Sequence, residues 1–350
     1  MKKSKMNVFP AQHPNLIWQG RTMKDNSGNG YLIGSASSLK FRFQGNQCRI
    51  WLLNVSPPDG SNYISWVLDG SHYKRIPVGF EAFTSLDIPV RSASEFHDIE
   101  IYKETESSCG YVVINKIEAE EISETPKPVK KKIEFIGNSI TAGMASDPSL
   151  VPCDEGNRCD QHNAYNAYGP RVARTLDCDY MIVAVSGIGA YRNWNTEYPV
   201  MPDVYESTFL TGQSDDPKWK FDEFIPDLVC INLGTNDFSD GDGITPRLPF
   251  DSTKFIDRYV ELIGKVHNHY PEAKFLLLQH RMPGQHHMSM LDACLQSVKQ
   301  KAETSIAGLK PVSILSFSYF IGSGCSGHPS VDEHGKMARE LAPVISKLLR

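Results

Sequence analysis

From about Leu32 to Ile117 the chain alternates apolar and polar positions in short runs broken by turn residues, among them LKFRFQG (39–45), CRIWLLNV (48–55), YISWVLDG (63–70), HDIEIYKE (97–104) and YVVINKIE (111–118). A period of two with β-branched and aromatic residues is the signature of half-buried strands, and several such runs in succession predict an antiparallel β-sandwich or jelly roll. Asp69-Gly70 fits a tight hairpin turn, and no segment of helical period interrupts the series.

The stretch ISETPKPVKKK (122–132) has two prolines and four lysines and no apolar period. It reads as a short solvated connector, which divides the chain into an all-β unit over 1–126 and a second unit over 127–350. Beyond it the pattern changes to continuous apolar strands, IEFIG (133–137), YMIVAVS (180–186), DLVCINLG (227–234), AKFLLLQ (273–279) and VSILSF (312–317), separated by helical candidates at 168–175, 252–268, 288–307 and 332–349. Fully apolar strands alternating with helices predict a parallel sheet covered on both faces, a three-layer α/β/α sandwich. In such sheets ligands meet loops at the carboxyl ends of the strands.

With 350 residues, 40% hydrophobic and 22% charged, the composition is that of an ordinary globular chain of about two domains. A net charge of −5 gives no basic surplus for nucleic acid or anionic lipid. No run reaches the 18 or so apolar residues of a membrane helix, and MKKSKMNVFPAQ has lysines with no apolar run behind them, so it is not a complete signal peptide. Eight cysteines are too few for a disulfide scaffold; Cys153 and Cys159 alone lie close enough in a loop-like stretch to suggest a bridge, with free thiols the alternative. A monomer is the default expectation.

Four loops then carry candidate chemistry. Ser139 follows the first apolar strand in GNSIT (137–141), where a hydroxyl can project into a crevice; an N-capping serine is the plainer reading. Gly187 ends the second strand, where glycine lets a backbone N–H approach a ligand but also serves simple turns. Asn236 and Asp237 end the third: an Asn amide can donate to an oxyanion, and an Asp can anchor a loop by accepting backbone amides. His328 precedes the last helical candidate and is a candidate general base for Ser139.

The blocks GNSIT, SGIG around Gly187, GTND (234–237) and GHPS (327–330) resemble, in this order, the four blocks of the SGNH hydrolase superfamily. With a β-domain ahead of them, YRNW (191–194) and PDLVCINLGTND (226–237), the chain is similar to carbohydrate esterase family 2 in particular, from about Trp18 to its end. The resemblance implies Ser139 as nucleophile, His328 as base, and the Ser139 N–H, Gly187 N–H and Asn236 side chain as an oxyanion hole. It implies removal of acetyl groups from plant-wall polysaccharides or oligosaccharides, no metal or organic cofactor, and a location outside the cytoplasm.

Two departures qualify it. Asn138 stands where the superfamily usually has Asp, and no acid occupies the positions two or three residues before His328, which are Ser326 and Cys325. A Ser-His dyad whose imidazole is held by a backbone carbonyl is the reading adopted, with Asp332 or Glu333 as lesser alternatives. Trp194, Tyr191 and Asn193 are candidate sugar contacts, with core packing of the aromatics as the alternative and Trp194 the ring expected to face the cleft. The polar stretch 145–166 is expected to wall the site. Its Cys153, Cys159 and His162 do not have the spacing of a zinc site, and His267, His269, His286 and His287 read as ordinary solvated or loop residues. Trp18, Trp51, Tyr63 and Trp66 are expected to pack the β-domain or its interface rather than bind sugar. The rivals to an acetyl esterase are a sugar-binding protein without catalysis and an esterase for lipid or other short acyl esters.

Overall fold

The computed structural model describes residues 6–90, 95–126, 128–281, 285–320 and 322–350; the side chains of residues 281, 285–287 and 320 fall outside it, those of His286 and His287 among them. Among the described residues the N-terminal part forms one antiparallel sheet of ten strands: β1 (Asn7–Pro10), β2 (Ile17–Gln19), β3 (Thr22–Lys24), β4 (Gly30–Leu32), β5 (Ser38–Val55), β6 (Tyr63–Leu68), β7 (Ser71–Pro77), β8 (Thr84–Ile88), β9 (Phe96–Lys103) and β10 (Tyr111–Ser123). The expected alternation is present: along β9 His97, Ile99 and Ile101 are buried while Asp98 and Glu100 are partly exposed. Asp69 and Gly70 take φ of +49° and +78° between Leu68 and Ser71, the two-residue turn that the hairpin required.

One element differs from the sequence reading. The runs 39–45 and 48–55 are a single strand, β5, because Gly45 at φ +95° bulges the strand without ending it. The pairing register against β10 shifts there, Gln44 facing Glu121 and Cys48 facing Ala119.

The second sheet is five-stranded and parallel, in the order β12 (Asp179–Ala184), β11 (Lys132–Gly137), β13 (Leu228–Asn232), β14 (Lys274–Arg281), β15 (Ser313–Phe320). This is the 2-1-3-4-5 order of a doubly wound sheet. The helices are α1 (Ser139–Ala142), α2 (Tyr168–Thr175), α3 (Met201–Val204), α4 (Ser252–His269), α5 (Gln285–Ser305) and α6 (Val331–Leu348). One apolar cluster joins the sheet to α4 and α5, and a second joins it to α2 and α6, so the central strands are buried on both faces. Two flanking cores explain why these strands read as unbroken apolar runs.

The two sheets meet through buried polar contacts. Arg21 is fully buried, donating to the carbonyls of Tyr205 (2.7 Å) and Ser207 (3.1 Å) and lying 4.7 Å from the Trp219 ring centroid. Arg75 donates to the carbonyls of Asp147 (2.7 Å) and Asp160, and Tyr63 and Ser61 donate to the Asp160 carboxylate. Tyr63 thus seals the interface, and Trp66 stacks on Tyr73 at 5.2 Å. Trp18 donates to the Ala11 carbonyl and, with Trp66, packs the β-part's apolar cluster, while Trp51 is half-buried on the sheet face, donating to Glu118 with Lys116 over its ring.

Two disulfides correct the expected pairing: Cys109 bonds Cys159, and Cys153 bonds Cys325. The turn between Cys153 and Cys159 sends Cys159 inward against the β-part and leaves Cys153 exposed beside the loop of Cys325, so the two neighbours in sequence diverge. Cys48, Cys178, Cys230 and Cys294 are free thiols.

Candidate active site

Strand β11 ends at Gly137, where a Cβ would come within 2.1 Å of the Thr141 hydroxyl, so only glycine lets α1 begin so abruptly. Asn138 caps α1, its side chain accepting the Ile140 N–H at 3.1 Å and donating to the Thr235 hydroxyl at 2.7 Å. The capping role contemplated for Ser139 thus belongs to Asn138, a clear use for the residue standing in place of the usual Asp. Ser139 is the first helical residue, and neither its hydroxyl nor its N–H makes a hydrogen bond among the described residues.

Gly187, at the end of β12, takes φ +79°, and its N–H is likewise unpaired among the described residues. The positive φ lets the chain double back so that the Gly187 carbonyl accepts the Trp194 N–H at 2.8 Å. After β13, Asn236 donates one amide hydrogen to the Ile188 carbonyl at 2.7 Å, tying its loop to that of Gly187 and leaving a second hydrogen for a ligand. Asp237 is fully buried and accepts the N–H groups of Ala190 (3.0 Å), Tyr191 (2.8 Å) and Arg192 (3.3 Å). Burial raises its carboxyl to about 6 against the opposing pull of those amides. Three loops at three strand ends are therefore one hydrogen-bonded body.

The loop of His328 is clamped onto the chain leaving α1: the Cys325 N–H donates to Ala145 at 2.8 Å and the Val331 N–H to Ser146 at 3.1 Å. The Cys153–Cys325 bond ties it to the 145–166 stretch, which forms a wall between the β-part and the His328 loop. His328 is partly buried, and that desolvation lowers its pKa below the usual 6.5, opposed by the carbonyls of Cys325 and Ser326 and the charge of Glu106. Desolvation favours the neutral ring, able to accept a proton, and its Nδ1 is buried without a hydrogen-bond partner among the described residues.

Neither lesser candidate for the acid supplies it. Glu333 accepts the N–H groups of Ser323 (2.9 Å) and Ser330 (2.9 Å) in a capping box that starts α6, and Asp332 is exposed. Among the proposed sugar contacts only Trp194 stands in the open, 48% exposed beside Gly187. Tyr191 is instead buried against Phe250 and Phe255 and accepts the Asp251 N–H, which corrects its assignment to packing. Asn193 spends its side chain on the Gly189 N–H, the Thr196 hydroxyl and the Pro199 carbonyl, bracing the loop that carries Trp194. Tyr198, read in the sequence with these residues as part of a sugar platform, is exposed on the same loop.

Cys153 lies apart from the drawn Cys/Cys/His set; Cys109 joins Cys159 and His162 instead, with both sulfurs in a disulfide. His267 bonds the Ala307 carbonyl and His269 pairs with Glu206, on α4. Glu106, a buried carboxylate from the first sheet that bonds Ser186, was not singled out in the sequence, because nothing near it in the chain marks it.

The residue set suits acyl-transfer chemistry: an unpaired hydroxyl, two unpaired N–H donors and an amide lie on strand-end loops joined by hydrogen bonds, and an imidazole stands on the loop clamped to the chain leaving α1. Comparison with known proteins agrees. Residues 18–128 match the carbohydrate esterase 2 N-terminal domain, and residues 135–310, half of the chain, match the GDSL-like lipase/acylhydrolase family. The chain is 29% identical to the cellulase/esterase CelE of Acetivibrio thermocellus over 96% of its own length, spanning 40% of that protein. It is also 29% identical to an acetylxylan esterase / glucomannan deacetylase of Cellvibrio japonicus, over 99% of this chain and 92% of that one. A family two carbohydrate esterase from Clostridium thermocellum, solved in complex with cellohexaose, superposes with a TM-score of 0.83 at 26% identity, covering 95% of this chain and 99% of the other. The chain belongs to the GDSL-like lipase/acylhydrolase family.

Proposed function

We propose that this protein is a serine esterase that removes acetyl groups from the hydroxyls of plant-wall polysaccharides or oligosaccharides. The observation that carries the reading is the hydrogen-bonded joining of the Gly187 and Asn236 loops beside a Ser139 whose hydroxyl and N–H are unpaired among the described residues. Similarity to an acetylxylan esterase over nearly the whole chain supports the substrate class.

Ser139 Oγ attacks the acetyl carbonyl carbon as its proton passes to His328. The oxyanion is held by the Ser139 N–H, the Gly187 N–H and the free Asn236 amide hydrogen. The intermediate collapses, the C–O bond to the sugar breaks, and the departing alkoxide takes the proton from His328. Water then attacks the acetyl-enzyme, giving its proton to His328, and acetate leaves as Ser139 is reprotonated. Trp194 and Tyr198 offer exposed rings for a sugar face. No cofactor is needed, and the two disulfides support a location in an oxidising compartment outside the cytoplasm. In this reading residues 1–126 are an accessory unit docked on the catalytic unit 127–350.

The test is hydrolysis of 4-nitrophenyl acetate, butyrate and octanoate and of acetylated xylan by the native chain and by Ser139→Ala. Acetate-selective turnover, acetate released from the polymer, and loss of both in the variant are expected. Equal rates in the two proteins would overturn the reading, and a preference for octanoate would move it to lipid esters.

A further inference from the structure

The turn between β9 and β10 crosses from the first sheet to the crevice of the second. Residues Lys103 to Glu106 are buried. Lys103 Nζ is held by the carbonyls of Thr105 (2.7 Å) and Glu106 (2.8 Å), and the Glu104 carboxylate accepts the Tyr165 N–H at 2.9 Å, so the turn is fixed from both sides. The Glu106 carboxylate reaches the catalytic loops. Its Oε2 accepts both the N–H and the hydroxyl of Ser186, each at 2.7 Å, and its Oε1 accepts the Ser108 hydroxyl and lies 3.6 Å from Arg158.

Ser186 immediately precedes Gly187. Pinning its N–H and its side chain on one oxygen fixes the residue whose carbonyl shares a peptide plane with the Gly187 N–H. A carboxylate taken out of water is costly unless fully bonded, and here each oxygen is bonded. The same charge acts on His328, whose Nδ1 is buried without a hydrogen-bond partner among the described residues.

We propose that Glu106, carried in by the N-terminal sheet, is a positioning residue of the esterase: it orients the Gly187 N–H through Ser186 and supplies the negative charge that the His328 loop lacks. This rests on the esterase reading. The charged and titratable groups around the pair are His162 of the 145–166 wall and His334 of α6, which interact with His328, and Arg158 and Lys103, which face Glu106. Burial holds both of those histidines below the usual range, His334 at about 3, so neither takes up a proton where His328 works.

The experiment is the pH profile of kcat/KM for 4-nitrophenyl acetate in the full chain, with melting curves, for Glu106→Gln, Glu106→Asp and Ser186→Ala. Gln keeps an acceptor for Ser186 and loses the charge. A fall in kcat of about tenfold with KM little changed is expected, together with an acid limb displaced downward by about half a pH unit, since a histidine that loses a nearby anion holds its proton less tightly. Ser186→Ala should lower kcat and leave the limb in place. Glu106→Asp, which keeps the charge on a shorter stem, should do the same, and it carries the test if the Gln variant does not fold. An acid limb unmoved in Glu106→Gln, or a wild-type kcat in Glu106→Asp, overturns the proposal. A native chain no more active than Ser139→Ala instead removes the esterase reading on which it rests.

Discussion

The two sides of the crevice are held by different means. On the side proposed to hold the oxyanion, buried carboxylates do the fastening: Asp237 gathers three successive amides behind Gly187, and Glu106 grips Ser186 in front of it. On the side of the proposed base a disulfide and two backbone hydrogen bonds hold the His328 loop, and the charges that interact with the ring come from elsewhere in the fold. The difference follows the chemistry. N–H donors must be aimed within tenths of an ångström at a charge that exists only in the transition state, and carboxylates bonded to the neighbouring amides fix that aim. A base needs the right orientation and a neutral ring at the working pH; the backbone clamp on its loop serves the first and partial burial the second.

Removing Asp237 is the strongest way to break the oxyanion side. Asp237→Ala leaves three buried amides without an acceptor and frees the loop that Asn236 shares with Gly187. A fall in kcat on the order of 10²–10³ is expected, comparable to deleting an oxyanion donor, with a lowered melting temperature. Asp237→Asn keeps one acceptor oxygen and should recover part of both; an Ala variant with native kcat would mean that the loop stands without its anchor. On the base side the double change Cys153→Ser and Cys325→Ser removes the tether and leaves the Ala145 and Ser146 hydrogen bonds in place. Stability should drop by about 2–4 kcal/mol in denaturant titration, while kcat falls about tenfold or less, because the backbone clamp still carries the loop. A kcat loss larger than that of Asp237→Ala would reverse the contrast drawn between the sides.

How much of this could be seen in the chain depends on whether the partners are local. Ser139, Gly187, Asn236 and His328 each sit at the end of an element whose pattern is readable on its own, and the parallel sheet follows from its continuous apolar strands. Glu106 could not be found that way, since its partner Ser186 is 80 residues distant and the two meet only when one sheet docks on the other. The disulfides failed for the same reason: the sequence offers Cys153 and Cys159 as neighbours, but the turn between them points one at Cys325 and the other at Cys109. Tyr191 shows a third limit. An aromatic in a loop reads alike as a sugar platform or as packing, and only the covering rings of Phe250 and Phe255 decide.

The two sides also respond oppositely to pH, which gives the smallest and most discriminating test. His334, in the helix that follows the base, is buried and accepts the Tyr168 N–H at Nδ1, and its pKa is driven from 6.5 to about 3 by desolvation. The unfolded chain protonates this ring as pH falls below 6.5 while the folded chain does not, so its contribution is present above that value and is lost on descent towards 3. Asp237 behaves in reverse. Its pKa is raised from 3.8 to about 6, so the folded chain keeps a proton that the unfolded chain has lost, and its contribution is present below 3.8 and disappears as pH rises through 6. Melting temperatures at pH 7 and pH 5 separate them. His334→Gln should make the change on acidification less destabilising than in the native chain, and Asp237→Asn should make it more so. Slopes that move in the same direction in both variants would show that the opposition between the two sides does not extend to their proton balance.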